Sequence, residues 1–114
     1  MLIFILIHMI DDENFKFCLD TGHASVAGLS PADAVRMAGS DLRALHVHDN
    51  DGKNDMHAVP CTGIIDWKAF ITALRETGYD GVFSFENGFS NFISNASNDV
   101  KLKAFRVIVD DILK

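Results

Sequence analysis

The sequence predicts an α/β fold built on a parallel sheet. Three apolar segments of strand length are each followed by a polar loop and a helical pattern, and this alternation is typical of parallel sheets. The chain has 114 residues, 48% hydrophobic and 23% charged, which suits one globular domain with its own core. We therefore expect a single domain over residues 1–114, too short for a complete (β/α)₈ barrel of about 250 residues.

The chain opens with an apolar run over residues 1–7, followed by His8, Met9 and Ile10. The run is too short to span a bilayer, which takes about 20 residues. It also lacks the basic start and the cleavage site of a signal peptide. It is a buried strand or an apolar helix, and periodicity does not separate the two over so short a run.

The first βα unit follows an acidic turn. Residues 15–20 alternate and are rich in aromatic and apolar side chains, which predicts a strand that ends in a loop at residues 21–23. Ser30 as N-cap and Pro31 as first helical residue predict a helix that runs to Gly39. Parallel strands joined by such helices are expected to be covered on both faces.

Two more units follow. Residues 42–48 are the second predicted strand, and after a long polar loop Asp66 caps a helix that ends near Thr77. Residues 81–86 are the third predicted strand, and the last helix is expected from about Ser97 to Leu113. Between them, Phe89 and Phe92 are expected to pack under the loop, with a pocket rim as the alternative.

All three predicted strands end in groups that bind metals or move protons. These are Asp20 and His23 on the first, His46 and His48 on the second, and Glu86 on the third. The carboxyl ends of parallel strands meet at one edge of the sheet, so we expect these side chains to converge there. The alternative for Asp20 and His23 is an ordinary role in capping and loop hydrogen bonds.

The two histidines of the second strand are two residues apart, which places both side chains on one face, expected to be dry. A single buried histidine is often a core residue, but Asp49 follows this pair directly. In the next loop, Asp55 and His57 have a spacing that suits zinc or a manganese-like ion, and a solvated loop pair is the alternative. Glu86 is expected to be a buried charge that requires a partner.

The ordered combination of motifs resembles a known family. Its segments are Phe-Cys-Leu-Asp-Thr-Gly-His (17–23), Leu-His-Val-His-Asp-Asn (45–50), Asp-Met-His (55–57), Gly-Ile-Ile-Asp-Trp (63–67) and Gly-Tyr-Asp-Gly (78–81) leading to Glu86. From about Ile10 to the end, the chain resembles the C-terminal part of the sugar phosphate isomerase/epimerase superfamily. These xylose isomerase-like TIM barrels include ketose 3-epimerases, inosose dehydratases and the endonuclease IV branch (AP endonuclease family 2).

This resemblance implies a partial (β/α)₈ barrel of about three βα units, corresponding to strands six to eight. It implies that Asp20, His46 and Glu86 bind a divalent metal (manganese, zinc, magnesium or cobalt), with His46 preferred over His48 because an acidic residue follows three positions later. Glu86 would be the catalytic base. His23 would contact substrate or act in catalysis, or bind a further zinc as in the endonuclease branch, and His48 is assigned to substrate binding. The resemblance further implies that Asp55 and His57 bind metal.

Two departures from the family pattern matter. The family's Pro-Gly-x-Gly turn is Pro-Cys-Thr-Gly at residues 60–63, which predicts an altered loop beside the substrate pocket. Strands one to five are also expected to be absent, together with a metal-binding glutamate of the fifth strand. Residues 1–7 contain no carboxylate to replace it.

The sequence thus predicts a sugar or sugar phosphate isomerase or epimerase that moves a proton next to the carbonyl. The alternative is a fragment without turnover that has lost its metal and forms a homo-oligomer through residues 1–7. A more remote alternative is a zinc phosphodiesterase like endonuclease IV. The net charge of -6 argues against nucleic acid and membrane surfaces as partners, and two cysteines without a signal sequence predict a cytoplasmic protein.

Overall fold

The computed structural model describes residues 2–88 and 92–114. Within these residues the chain forms five α-helices and three strands. In chain order they are α1 (Leu2–Ile10), β1 (Phe17–Asp20), α2 (Thr21–Val26), α3 (Pro31–Ala38), β2 (Leu42–Val47), α4 (Trp67–Glu76), β3 (Phe83–Phe85) and α5 (Asn98–Ile112).

The three strands form one parallel sheet in the order β1-β2-β3. Asp20 lies beside His46, and His46 lies beside Ser84 on the third strand. The backbone N–H of Glu86 donates to the carbonyl of Val47 at 3.0 Å, so the residue after β3 remains attached to the sheet. The predicted α/β fold with a parallel sheet is confirmed, and the strand ends lie along one edge.

One face of the sheet is dry and the other is open. The hydrophobic core lies between the dry face and helices α3 and α4, and it includes Leu19, Leu45, Val47, Val35 and Phe70. Cys18, His46 and Ser84 lie on the other face and are exposed. The expectation that both faces are covered is therefore wrong for the described residues. Three strands do not close into a barrel, whose own side chains would fill that face.

The predicted helix starts are confirmed at Ser30, Asp66 and Ser97, which are the N-caps of α3, α4 and α5. Asp66 uses its side chain, since Oδ1 accepts a hydrogen bond from the N–H of Ala69 at 2.9 Å. Ser30 makes no such bond, and Pro31 after it supplies the helical φ instead. Helix α3 therefore begins with a proline at its first position, whereas α4 begins with a side-chain capping bond.

The strands are shorter than the sequence predicts. β1 begins at Phe17 rather than at residue 15, β2 ends at Val47, and β3 covers only three residues. The loop expected at residues 21–23 is instead the start of α2. Its N-cap is Asp20, whose Oδ1 accepts a hydrogen bond from the N–H of His23 at 2.8 Å. One carboxylate at the end of β1 thereby turns the chain directly into a helix.

The apolar run at the start of the chain is a helix, so the strand interpretation is wrong and the helix interpretation is confirmed; Met1 lies outside the described residues. Ile7 is only 5% exposed, whereas Ile5 and Met9 are 54% and 78% exposed. Helix α1 is therefore an apolar element with most of its described surface in solvent. No described helix is long and apolar enough to cross a membrane.

Candidate functional site

Asp20 is the first carboxylate of the site and has several partners. Besides capping α2, its Oδ1 lies 2.8 Å from Nε2 of His48, and its Oδ2 lies 3.2 Å from Nδ1 of His23. Its side chain is 16% exposed. The capping role that the sequence left open as an alternative is present. Asp20 also belongs to the cluster at the strand ends, which comprises Asp20, His23, His46, His48 and Glu86.

His48 follows β2 and is fully buried. The Thr21 hydroxyl clamps its backbone, since it donates to the His48 carbonyl at 2.7 Å and accepts from the His48 N–H at 3.0 Å. A Cβ on Gly22 would lie 1.9 Å from the imidazole ring, so glycine is required for the ring to pack there. Nothing in the sequence patterns singled out Thr21 or Gly22 for this role.

The two ring nitrogens of His48 have different surroundings. Nε2 carries a hydrogen if it donates to Asp20, which leaves the lone pair on Nδ1. Nδ1 is buried and has no hydrogen-bond partner among the described residues; Oδ1 of Asp55 lies 4.0 Å from it. A buried polar atom without a partner is costly, so this position favours a water or a ligand.

His46 and Glu86 lie on the open face of the sheet. Nδ1 of His46 is 3.3 Å from Oε2 of Glu86, and their side chains are 51% and 48% exposed. Two expectations are therefore wrong: this face is not dry at His46, and Glu86 is not a buried charge. The expected partner of Glu86 is nonetheless present. His46 and His48 are two residues apart but occupy opposite environments, because β2 ends between them.

Asp55, in the long loop after β2, lies close to three histidines. Its Oδ2 lies 3.1 Å from Nε2 of His23 and 3.2 Å from Nε2 of His57, while its Oδ1 faces His48. The ring of His57 stacks on that of His48 with centroids 4.2 Å apart and planes within 4°. The pair at residues 55 and 57 is thus tied to the strand ends and is not an isolated solvated pair.

These contacts shift two pKa values. The backbone carbonyl of Glu86 accepts a hydrogen bond from Nδ1 of His57 at 3.0 Å and, aided by the charge of Asp55, raises the pKa of His57. Burial would raise the pKa of Asp55, but hydrogen bonds from His23 and His57 and the charges of both rings outweigh burial and lower it. Both shifts favour the charged form of the Asp55–His57 pair.

Two sets of side chains are close enough to hold a metal ion. Asp20, His48 and Glu86 form one, and His48, Asp55 and His57 form the other; in each set the ligand atoms lie within 4.8 Å of one another. A histidine nitrogen binds a metal in the plane of its ring, so the stacked His57 would have to rotate before it shared an ion with His48. The first set therefore needs less rearrangement.

Asp49 organises the loop around the site, a role that the sequence patterns did not reveal. Its fully buried carboxylate accepts five hydrogen bonds of 2.9 to 3.2 Å, from the backbone N–H groups of Asn50, Cys61, Gly63 and Ile65 and from the indole N–H of Trp67. Its backbone pairs with Ala58. A buried indole N–H requires an acceptor, and this is the signal that could have paired Trp67 with Asp49.

The altered turn at residues 60–63 keeps a backbone that favours glycine. Cys61 has φ +70°, in the left-handed region, and it occupies the position of the family's first glycine. A Cβ on Gly63 would lie 2.1 Å from the carbonyl oxygen of Asn50, so this second glycine is required. Cys18 and Cys61 are both free, and burial raises the pKa of each thiol. The structure thus contains no disulfide between them.

Charged and imidazole side chains at the ends of parallel strands, above the sheet, are the arrangement of α/β barrel enzymes. The model of the xylose isomerase-like TIM barrel family matches residues 4–102. The chain therefore belongs to the xylose isomerase-like TIM barrel family. Its three βα units form a partial barrel, as the sequence predicts.

Curated relatives include sugar enzymes. An uncharacterised protein of Methanocaldococcus jannaschii is 35% identical over 90% of this chain and 35% of its own length. D-psicose 3-epimerase of Ruminiclostridium cellulolyticum is 36% identical over 66% of this chain and 24% of its own length. Inosose dehydratase of Lacticaseibacillus casei is 28% identical over 67% of this chain and 31% of its own length. The chain thus spans 24% to 35% of these relatives' length.

Solved structures agree with this assignment. D-psicose 3-epimerase of Clostridium cellulolyticum, determined with D-tagatose, has a TM-score of 0.76 and 25% identity. A D-tagatose 3-epimerase-like protein has a TM-score of 0.62 and 29% identity. Each similarity covers 96% of this chain and 42% of the other. The chain is therefore similar to less than half of each of these two proteins.

Proposed function

We propose that this chain carries the metal and substrate groups of a sugar or sugar phosphate isomerase or epimerase. The observation that supports this most strongly is the set of Asp20, His48 and Glu86, whose ligand atoms lie within 4.8 Å at the ends of three parallel strands. Mixed oxygen and nitrogen ligands suit manganese, zinc, magnesium or cobalt. The names of the similar epimerases support the choice of a sugar as substrate.

The residues have distinct roles in this proposal. A bound divalent ion would polarise neighbouring sugar oxygens. Glu86 removes or returns the proton next to the carbonyl, since its carboxylate is half exposed and close to His46. His23 is 64% exposed and lies between Asp20 and Asp55, which orient its ring toward a substrate. Asp55 and His57 provide a neighbouring pair of ligands for the same or a second ion.

Metal titration tests the ligand set. Manganese binding, measured by isothermal titration calorimetry, should weaken at least about ten-fold in Asp20→Asn and in Glu86→Gln, because each loses a charged ligand. Asp80→Asn removes an exposed aspartate outside both ligand sets and should leave affinity unchanged. Equal affinity in all four proteins would contradict the site.

The same titration distinguishes the two histidines. The family resemblance assigns the metal to His46, whereas the geometry groups His48 with Asp20 and Glu86. His46→Gln changes an exposed side chain, so the fold should persist. Retained manganese affinity in this variant would assign the metal to His48, and a loss comparable to that of Glu86→Gln would assign it to His46.

Turnover is tested by incubating the manganese-loaded protein with D-tagatose in deuterium oxide. Deuterium should enter the sugar at the carbon next to the carbonyl, and Glu86→Gln should abolish this exchange. Absence of exchange in a protein that binds manganese would contradict catalysis by this chain alone.

A second candidate is a protein without turnover that associates with another copy of itself. The exposed apolar surface of helix α1 favours this candidate, because apolar surface of this kind marks interfaces. It predicts that the protein forms an assembly larger than a monomer even when the manganese-loaded protein exchanges no deuterium into the sugar.

A further inference from the structure

A cavity of about 280 Å³ opens beside His57, between the long loop after β2 and the described residues Gly88, Phe92 and Ile93 that follow β3. Much of its wall is apolar, with side chains of Met56, Ala58, Val59, Phe92 and Ile93. Phe92, one of the two phenylalanines expected to pack here or form a rim, therefore lines a cavity; Phe89 lies outside the described residues.

The polar side chains among the described lining residues already have partners. Among the described residues that line the cavity, Thr62 has a polar side chain, but its hydroxyl already donates to the Val59 carbonyl at 2.6 Å. His57 already contacts Asp55 and the Glu86 carbonyl through its two ring nitrogens. A sugar hydroxyl placed here would lose its bonds to water, whereas an alkyl group would gain by leaving water.

The wall is also built on unusual backbone. His57 and Ile93, which line it, have φ +47° and +50°, and Cys61, next to Thr62, has φ +70°. The value at Ile93 is an outlier because its side chain is β-branched. Strained residues of this kind cluster at ligand-binding sites, since their surroundings must hold them.

The cavity adjoins the cluster at the strand ends through His57. This residue lines the cavity, and its ring stacks on the buried His48. We propose that the cavity is a subsite for an apolar end of the substrate, such as a deoxygenated or alkylated chain end of a sugar whose oxygens lie at the strand-end cluster. The inference rests on the proposed function and narrows its substrate class.

Matched sugars test this preference. D-tagatose and its 6-deoxy derivative are titrated into the manganese-loaded protein, and the 6-deoxy sugar should bind about four-fold more tightly, because it has no hydroxyl at C6 that must lose its bonds to water. Met56→Gln makes the wall polar and should remove the preference. Met37→Gln, a similarly exposed methionine on α3 outside the cavity, should keep it.

Ile93→Asn provides a second variant, because asparagine tolerates positive φ and removes apolar wall without adding strain. It too should remove the preference. Equal affinity for the two sugars in the unaltered protein, or an undiminished preference in both Met56→Gln and Ile93→Asn, overturns the inference while the proposed function stands. If neither sugar binds, the proposed function fails and the subsite falls with it.

A probe that does not depend on metal or sugar tests the cavity itself. Benzene added to the metal-free protein should shift the methyl resonances of Val59 and Ile93 and leave those of Val26, outside the cavity, unchanged. Unchanged resonances at Val59 and Ile93 overturn the inference.

Discussion

Asp49 anchors the loop that carries Asp55 and His57. Each of its oxygens accepts hydrogen bonds, so an amide nitrogen in either place would face N–H donors. We predict that Asp49→Asn lowers the free energy of unfolding by about 3 kcal/mol, because buried donors lose their acceptor. Denaturant unfolding measures this, with exposed Asp80→Asn as the control, expected within about 0.5 kcal/mol of the unaltered protein. An Asp49→Asn protein as stable as this control would contradict the role.

Cys61 holds a backbone conformation that suits glycine. With φ +70°, its side chain costs about 1–2 kcal/mol, part of which glycine loses again through the greater freedom of the unfolded chain. We predict that Cys61→Gly raises the free energy of unfolding by about 0.5–1 kcal/mol. Cys61→Ala removes the thiol but keeps the strain, so it should show no gain. Equal stability of the two variants would show that the strain is not responsible.

The raised pKa of His57 predicts a pH dependence. The folded state favours protonated His57, so this contribution to stability is complete below the unfolded value of about 6.5 and is lost as pH rises through the higher folded value. In the metal-free protein with a chelator present, the NMR titration of the His57 ring should have a midpoint above about 6.5. Asp55→Asn should lower that midpoint. A wild-type midpoint at or below 6.5 would show that the Glu86 carbonyl and Asp55 do not act as described.

At the scale of elements, the N-caps of α3 and α4 can be compared directly. The Asp66 carboxylate caps α4, whereas the Ser30 side chain makes no capping bond. We predict that Asp66→Ala costs about 1 kcal/mol of unfolding free energy and that Ser30→Ala costs less than about 0.5 kcal/mol. Thermal or denaturant unfolding of both variants checks this. A larger cost at Ser30 than at Asp66 would reverse the interpretation.

The element order follows from the sequence because its signals are local. Apolar runs, the residues Ser30, Asp66 and Ser97 before helices, and the polar loops determined the three βα units, and the same order placed Asp20 and Glu86 at one edge. Helix α1 could not be assigned because no polar residue sets a period within residues 2–7.

The remaining features depend on contacts between distant residues. Asp49 and Trp67 are 18 residues apart, and Thr21 and His48 are 27 apart. His46 is exposed within β2, whereas the Thr21 hydroxyl holds the backbone of the buried His48 just after the strand, although a period of two places both histidines on one face. Periodicity describes a strand, and here the strand ends between the two histidines.

At the scale of the whole molecule, the sheet and α1 leave apolar and polar surface uncovered. The face that carries Cys18, His46 and Glu86 is open, and at the start of the chain Ile5 and Met9 are exposed. Burial of such apolar surface contributes about 25 cal/mol per Å², so association through α1 would be favourable if another copy supplied a complementary surface.

We predict that the protein forms an assembly through α1 and that Ile5→Lys combined with Met9→Lys converts it to a monomer, because two ammonium groups would have to leave water at the interface. Both positions are more than half exposed, so the substitutions should leave the fold intact. The matched control replaces Leu102 and Val107 of α5, 60% and 69% exposed, with lysine and should leave the assembly unchanged. Light scattering after size exclusion measures the mass. A monomeric unaltered protein would contradict the predicted assembly. An assembly that persists with the α1 substitutions but dissociates with those on α5 would show that the uncovered surface of α1 has no role in association.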